Sequence, residues 1–376
     1  MAEDKMEIND FEKSLRFSLI KLNLEKSIKL FLKEEFSKDA EIIVGQLINA
    51  ANQGDEVAQY VLAVSYYNGI NLPQDYKKAF EYCEMSALQG YKEAQHLLGI
   101  MYWNGEGVLQ DYNKVYEWLE KAALQGDDNV QRLLGFMYYI GEGIPTNYKK
   151  AVEWFEKAAL KYNEEAQFLL ASMYDLGDGV PQDYKKAFEY YEMSALQGNA
   201  MAQHNLGNIY FYGKGNPINY EKAAEWFEKA ALQGNKNSQH MLGAMYHTGK
   251  GVLQNYEKAF EWLEKSSLQG LAIAQCILGG MYLDGRGIPR DYKKALEWYE
   301  KSALQDYSDA QYRLGIVYFY GEVVPQDYQK AFEYFEKAAL KGNNNAINIL
   351  MIMYDQGKGV PQDREKSIEW FEKLDV

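Results

Sequence analysis

Apolar residues recur along this chain every three or four positions, and short stretches rich in glycine, proline, aspartate and asparagine separate the apolar segments. In the segment from Ala94 to Trp103, alanine, leucine and tyrosine share one side of a helix that turns about 100° per residue. The segment from Asp111 to Gln125 has the same spacing. The loop between such segments reads Gly-x-Gly-Val/Ile-Pro-x-Asp, and its glycines and proline end the first helix. The pattern therefore predicts pairs of amphipathic helices.

The helix pair is a repeating unit of 36 residues. One tyrosine column runs unbroken from Tyr66 to Tyr354, and all seven prolines occupy a single position of the repeat. Since the spacing does not slip between Ala58 and the C-terminus, the sequence predicts nine repeats and no inserted domain. We call the two helices of each repeat helix A and helix B. An Asp or Asn precedes every helix B, where its side chain can cap the free backbone N–H groups.

The N-terminal end departs from this pattern. Residues 39–53 echo helix B and are predicted to form a degenerate half-repeat, so that the solenoid covers residues 39–376 and the nine full repeats start at about residue 54. Residues 1–38 contain two apolar runs, from Phe11 to Leu24 and from Ile28 to Phe36. We expect them to form one or two helices that cap the array.

The C-terminal end differs in another way. Met351 replaces the small residue that other repeats carry at the helix-packing position, and no further repeat follows Trp370 and Phe371. An uncovered apolar patch usually marks a contact surface. We expect this face to contact a second copy of the chain or another protein, and a two-fold homodimer would be the simplest closed arrangement.

Charge and cysteine content narrow the classes of partner. The chain has 40 Lys and Arg against 54 Asp and Glu, a net charge of −14. No basic patch is available to neutralise phosphates, so nucleic-acid binding is not expected. The two cysteines, Cys83 and Cys276, lie in distant repeats, which favours a reducing compartment over a disulfide framework. Without a basic secretion signal or an apolar run of transmembrane length, we expect a cytoplasmic protein with no membrane insertion, unless a signal peptide has been removed.

The repeat has a recognisable form, Ala-x-x-x-Leu-Gly-x-x-Tyr-x-x-Gly-x-Gly-Val-x-x-Asp-x-x-Lys-Ala-x-x-Trp-x-x-Lys-Ala-Ala-x-x-Gly. It resembles the Sel-one-like repeat (SLR) family, a relative of the tetratricopeptide repeats, and the stretch from Ala94 to Gly126 matches nearly throughout. The resemblance covers about residues 40–376. It implies an all-α, right-handed α/α superhelical solenoid whose helix A row lines a concave groove. It also implies a role as an adaptor for protein complexes.

Three columns of helix A, which begin at Tyr67, at Tyr60 and at Val64, vary between repeats while most other positions stay nearly constant. On an amphipathic helix, we place these columns opposite the packed leucine and tyrosine stripe. A solenoid groove that offers a different contact from each repeat suits one extended ligand. The candidate partner-binding residues in the first column are Tyr67, Trp103, Tyr139, Phe211, His247 and Phe319. Those in the second column are His96, Arg132, Phe168, His204, His240 and Tyr312.

Signals for catalysis are weak. Two glutamate columns on helix B, which begin at Glu81 and Glu84, are better explained as ion pairs with lysines three or four residues away. The histidines lack the converging third ligand that a zinc site needs, and no cofactor motif is found. Secreted, cysteine-rich SLR proteins have been linked to β-lactam hydrolysis, but this chain lacks their cysteine pairs. We therefore predict a non-catalytic scaffold that binds a protein or peptide. A module that binds glycans or small ligands with the same aromatic residues is the alternative, and a hydrolase is a more distant one.

Overall fold

The structure, a computed structural model, describes residues 39–322 and 324–374. Within these residues it contains nineteen α-helices and no β-strand. Helix α1 (Asp39–Asn52) is the half-repeat, and nine helix pairs follow. The helices A are α2 (Glu56–Asn68), α4 (Lys92–Asn104), α6 (Asp128–Ile140), α8 (Glu164–Leu176), α10 (Ala200–Tyr212), α12 (Lys236–Thr248), α14 (Ala272–Asp284), α16 (Ser308–Tyr320) and α18 (Asn344–Gln356). The helices B are α3 (Tyr76–Leu88), α5 (Tyr112–Leu124), α7 (Tyr148–Ala159), α9 (Tyr184–Leu196), α11 (Tyr220–Leu232), α13 (Tyr256–Leu268), α15 (Tyr292–Ala303), α17 (Tyr328–Leu340) and α19 (Arg364–Phe371). The predicted helix pairs are thereby confirmed, whereas the predicted capping segment, residues 1–38, lies outside the described residues.

The helix boundaries follow from the loop chemistry that the sequence predicts. Each helix B begins after an Asp or Asn whose side chain accepts hydrogen bonds from the first backbone N–H groups, as Asp111 does from Asn113 and Lys114. Helix A ends at a glycine in the left-handed conformation, for example Gly105 at φ 73°. Where Tyr162 and Asp306 replace the glycine after helix B, they adopt φ values of 62° and 61°. L-residues populate that region sparsely, so these two turns carry backbone strain that glycine avoids in the other repeats.

Two glycine positions allow close packing. A Cβ atom added at Gly107 would lie 2.0 Å from the carbonyl oxygen of Tyr76, because the loop of each repeat crosses the start of the preceding helix B. Within a repeat, helix A approaches helix B at a small residue. A Cβ atom at Gly135 would lie 2.8 Å from the ring of Phe155, which is fully buried. The helix-packing role predicted for this second position is confirmed.

The described residues divide into two compact units, an N-terminal unit of residues 39–190 and a C-terminal unit of residues 191–322 and 324–374. In the N-terminal unit, helices α2, α4 and α6 each pack on the helix B of their own repeat and on the helix before them. In the C-terminal unit, α12, α14, α16 and α18 do the same. A buried glutamine ties successive repeats together in both units. The side chains of Gln95 and Gln203 donate to the carbonyl oxygens of Ala87 and Ala195, at the ends of the preceding helices B.

Candidate binding surface on helix A

The first column of predicted binding residues lies against the neighbouring repeat. The Tyr67 hydroxyl donates a hydrogen bond to Glu106 in the loop of the next repeat, at 2.5 Å. Tyr139 donates in the same way to Asp178, at 3.2 Å. Each ring also packs against the first tyrosine of helix B in its own repeat, with the Tyr67 and Tyr76 centroids 5.4 Å apart. These side chains therefore have structural partners within the chain.

The chemistry of this column changes together with that of the loop position it faces. Where the column carries phenylalanine, the next loop supplies a lysine in place of a carboxylate. Lys250 lies 4.7 Å from the centre of the Phe211 ring, and Lys358 lies 5.6 Å from that of Phe319. A hydroxyl suits a carboxylate acceptor, and an aromatic face suits a cation. In the first column, much of the variation between repeats is thus matched by a corresponding change in the loop residue that the side chain contacts.

These contacts change the acidity of the tyrosines. Burial, together with the nearby Asp178 carboxylate, raises the pKa of Tyr139 to about 12. Burial also raises the pKa of Tyr67, and its hydrogen bond to Glu106 raises it further. Both effects favour the neutral phenol. Both hydroxyls stay protonated at neutral pH and act as hydrogen-bond donors.

The second column points toward the start of the next helix A. The Arg132 guanidinium forms an ion pair with Glu165 at 2.9 Å and is itself buried. The His204 ring lies 2.8 Å from the hydroxyl of Ser238. The rings of Tyr60 and Tyr91 are 5.1 Å apart in the same relation between repeats. This column, too, joins consecutive repeats.

The predicted binding residues fall into a buried group and a half-buried group. Our expectation that both columns lie opposite the packed stripe is wrong for the buried members, because the adjoining repeat covers that flank of helix A. The buried members are Tyr67, Phe319, His96 and Arg132. The half-buried members are Trp103, Tyr139, Phe211, His247, Phe168, His204, His240 and Tyr312. The half-buried residues keep some surface for a partner.

The side of helix A that faces solvent is shifted by about one residue from the columns that were predicted to bind a partner. It contains the column that begins at Val61, which the sequence analysis missed, together with the columns of Val64 and Asn68. We call these three columns the helix A face. In the C-terminal unit its members are half-buried or exposed and chemically diverse, namely Asn205, Asn208, Tyr212, Met241, Ala244, Thr248, Ile277, Gly280, Asp284, Arg313, Ile316, Tyr320, Ile349, Ile352 and Gln356. The diversity of the Val61 column was the sequence signal that could have revealed it.

His204 and Ser238 lie close together in the C-terminal unit, as do a histidine and a serine in sites that activate a serine nucleophile. The Asn208 side-chain nitrogen lies 3.0 Å from Nε2 of His204, and an amide nitrogen can only donate. A donor to Nε2 favours the tautomer protonated at Nδ1, in which the ring donates to Ser238 Oγ. Burial lowers the pKa of His204 to about 4, and Ser238 is completely buried. The buried Ser238 hydroxyl is shielded from solvent, and its contact with His204 joins two neighbouring repeats.

Other reactive groups in the described residues are similarly protected. Both cysteines are free and buried, and burial raises the pKa of Cys276 to about 12, which disfavours the thiolate. On helix B, Glu117 lies between Lys114 and Lys121 at 2.8 and 2.9 Å, as the ion-pair interpretation predicts. In residues 39–322 and 324–374, no three His, Cys, Asp or Glu side chains are grouped so that they could hold a metal ion. None of the helices described there has the length and apolar character needed to cross a membrane.

The C-terminal face differs from our expectation. Trp370 is not uncovered, because it packs into the core of the last repeat and Lys373 lies 4.0 Å above its ring. Phe371 is 59% exposed, although the equivalent side chains of the other repeats are buried. At the equivalent position, Cys83 contacts the carbonyl oxygen of Ala94 in the next helix A, whereas no helix A is described beyond Phe371. Met351 also stands where Gly315 leaves room for Phe335 in the preceding repeat.

Comparisons with known proteins agree with this architecture. The family model described as Sel1 repeat matches residues 57–91, 92–127, 129–163, 164–199, 200–235, 236–271, 272–307, 308–343 and 352–374. The chain therefore belongs to the Sel1 repeat family, as the SLR resemblance predicts. The comparison with curated proteins finds no match.

Two solved structures share the fold over most of this chain. A protective antigen of uropathogenic Escherichia coli with an SLR fold is 35% identical, with a TM-score of 0.73, over 88% of this chain and 78% of that one. A Sel1 repeat protein from Oxalobacter formigenes is 31% identical, with a TM-score of 0.67, over 87% of this chain and 99% of that one. These similarities confirm the solenoid of helix pairs.

Proposed function

We propose that this protein is a non-catalytic scaffold that binds a partner protein along the helix A face. The observation that carries the proposal is the divergence of this face between repeats that are otherwise nearly identical. In the Val61 column, the C-terminal unit offers an amide at Asn205, a thioether at Met241 and a guanidinium at Arg313. Surfaces that combine apolar, amide and cationic groups are typical of protein interfaces.

The internal contacts of the rings favour a protein over a glycan. Sugar binding by stacking needs an open aromatic face. The Phe211 ring packs against Tyr212 and Tyr220, with centroid distances of 5.0 and 5.2 Å, and Lys250 lies over it. Phe319 has the same surroundings, with Tyr320 and Tyr328 at 5.2 Å. Tyr212 and Tyr320, the rings of the outward columns in this unit, are 59% and 57% exposed. Most other members of these columns are amide, thioether, cationic and aliphatic side chains, which supports a protein partner.

We also propose that the protein is non-catalytic and cytoplasmic, as the sequence predicts. A non-catalytic role is supported by the burial of both thiols and of Ser238, and the cytoplasmic location stays a prediction. A homodimer through the C-terminal face now depends on Phe371 and on Ile368, which is 52% exposed, and no longer on Trp370. Two exposed side chains alone are a small patch for a stable dimer.

The direct test is capture of partners from the native cell with the wild-type chain and two variants. Met241→Glu with Arg313→Glu alters the helix A face. Leu232→Glu with Leu268→Glu alters exposed leucines at the ends of two helices B, which are 71% and 72% accessible, and serves as a matched control. We expect the first variant to lose the captured protein and the second to keep it. Binding to a glycan panel that disappears with the same helix A variant would favour the alternative function.

A further inference from the structure

The helix A face has a local depression at Gly280 in repeat 7. Among the residues that the structure describes, a Cβ atom built at Gly280 would meet only one atom outside its own helix within 4 Å, the hydroxyl oxygen of Tyr299 at 3.5 Å. At Gly279, by contrast, an added Cβ atom would lie 2.8 Å from the Tyr299 ring, so that glycine is needed for packing. The column of Gly280 continues with Ile316 and Ile352, and glycine weakens a helix interior. Gly280 therefore leaves open space that the fold does not use.

A buried tyrosine hydroxyl lies at the bottom of this depression. Tyr299 is 2% exposed, and its hydroxyl forms no hydrogen bond with another of the described residues. Three other repeats carry phenylalanine at this position, as Phe155, Phe227 and Phe335, and all three side chains are completely buried. The hydroxyl is therefore not required to fill the core. A buried polar group without a partner costs stability, which points to a partner that reaches it through the depression.

A cationic side chain lies near this hydroxyl. Burial raises the pKa of Tyr299, and the Arg313 guanidinium opposes the rise, so the two groups interact electrostatically. Arg313 belongs to the helix A face of repeat 8 and is exposed. Asp284 also acts on Tyr299, but its carboxylate is already paired with Arg286 at 3.2 Å. No carboxylate of the described residues forms an ion pair with Arg313 itself, which leaves the guanidinium available to an anionic group.

The wider charge pattern has the same sign. In repeats 5 to 9, helix A and the loop between it and the cap of helix B contain seven Lys and Arg against four Asp and Glu. The basic residues are Lys214, Lys236, Lys250, Arg286, Arg290, Arg313 and Lys358. In repeats 1 to 4, the same elements contain two Lys and Arg against nine Asp and Glu. On a chain of net charge −14, the helices A of the later repeats therefore attract acidic groups and those of the earlier repeats repel them.

We propose that the depression at Gly280 receives an aspartate or glutamate side chain from an acidic segment of the partner protein. The carboxylate accepts a hydrogen bond from the Tyr299 hydroxyl and forms an ion pair with Arg313. Both contacts are charge-assisted, which offsets the cost of removing the carboxylate from water. The half-buried side chains of Ile277 and Ile316 offer apolar contacts to the rest of the segment. This inference rests on the proposed function, because it specifies the chemistry of the segment that the helix A face binds.

Thermal unfolding of the chain alone tests whether the hydroxyl and the glycine serve the fold. Tyr299→Phe copies the residue of repeats 3, 5 and 8, and it should leave the melting temperature unchanged or raise it. Gly280→Ala should raise the melting temperature, because alanine favours a helix over glycine. A lower melting temperature for Tyr299→Phe would show that the hydroxyl has a structural partner and would overturn the proposal.

Peptides selected from a random library test the binding itself. Short peptides displayed on phage are selected on the wild-type chain and depleted on Gly280→Ile, which copies Ile316 and fills the depression. The peptides are fused to the phage through their C-termini, so only side chains can supply a carboxylate. We expect the selected peptides to share an Asp or Glu.

The hydroxyl and the shared carboxylate should depend on each other. In fluorescence anisotropy, Tyr299→Phe should weaken a selected peptide at least about tenfold, because a hydrogen bond to a charged group is lost. Replacing the peptide's carboxylate with the matching amide should weaken binding to the wild-type chain by a similar factor and to Tyr299→Phe by little more. Tyr191→Phe removes the equivalent buried hydroxyl of repeat 4 and serves as a matched control that should bind like the wild-type chain.

Three binding results would contradict the proposal. These are selected peptides that share no carboxylate, equal binding to the wild-type chain and Tyr299→Phe, and equal weakening by Tyr191→Phe. A selection without the depletion step separates this failure from that of the proposed function. Peptides from it that lose binding to Met241→Glu with Arg313→Glu would preserve the proposed function, and a complete lack of such peptides would contradict both.

Discussion

The hydroxyl of Tyr139 donates a hydrogen bond to the carboxylate of Asp178, which lies 3.2 Å away in the loop of the following repeat. Phe211 and Lys250 occupy the same two positions in the C-terminal unit, and there a cation lies over a ring. The two pairs join neighbouring repeats at the same position, one by a hydrogen bond and the other by a cation–π contact. Variation between repeats can therefore preserve the contact between neighbours.

Replacing the hydrogen-bonded pair by the cation–π pair should show that the two positions depend on each other energetically. Tyr139→Phe alone leaves Asp178 without its donor and should cost about 1 kcal/mol of unfolding free energy. Asp178→Lys alone should also destabilise the chain. The double variant recreates the Phe211–Lys250 pair and should be more stable than the sum of the single changes predicts, in a urea-unfolding double-mutant cycle. Additive effects would show that the positions are independent.

The raised pKa of Tyr139 makes the same contact sensitive to alkaline pH. Because the pKa in the folded chain is about 12, above the ordinary value of 10.0, the contact contributes fully below pH 10. That contribution is lost as the pH rises from 10 toward 12. We expect the difference in unfolding free energy between wild type and Tyr139→Phe to narrow over this range. A constant difference would contradict the assignment.

His240 should respond to acid in the opposite direction. Burial lowers its pKa to about 4, so the folded chain favours the neutral ring. The stability that depends on this neutral ring is present above pH 6.5 and is lost as the pH falls toward 4. His240→Tyr copies Tyr312 of repeat 8 and should reduce the decrease in melting temperature between pH 6.5 and 4, while His204, whose pKa is also about 4, still contributes to it. An unchanged pH profile would argue against a buried neutral histidine.

The last repeat offers a prediction about packing. Met351→Ala should let Phe371 enter the core, because Ala171 stands at the same position opposite the buried Tyr191. Burial of a phenylalanine side chain contributes about 1.5–3 kcal/mol, which outweighs the loss of a half-buried methionine. We expect unfolding free energy to increase by about 1 kcal/mol. The control Met351→Leu should give no increase, and a destabilised Ala variant would refute the displacement of Phe371.

Most of the fold could be predicted from the sequence, because each boundary has a local chemical cause. Asp111 caps a helix, Gly105 ends one, and Gly135 admits a neighbouring ring. These effects act within one repeat and recur nine times. The left-handed turns at Tyr162 and Asp306 follow the same rule, since the remaining repeats carry glycine at that position.

The surface of helix A was harder to predict. Periodicity separates a packed side from an open side, but it does not show how far the next repeat covers each flank. Tyr67 and Val61 both fall away from the leucine stripe on a single helix, yet the loop containing Glu106 covers only Tyr67. Likewise, Trp370 and Phe371 are adjacent apolar residues, and only their contacts with helix α18 separate the buried one from the exposed one.

The central claim is that the helix A face of the C-terminal unit contacts a partner protein. A photo-reactive amino acid placed at Met241 in the native cell tests it most directly, with the same probe at Leu268 as the control on helix B. We predict a covalent protein adduct at residue 241 that is absent at residue 268. No protein adduct at residue 241, or the same adducts at both positions, would contradict the account.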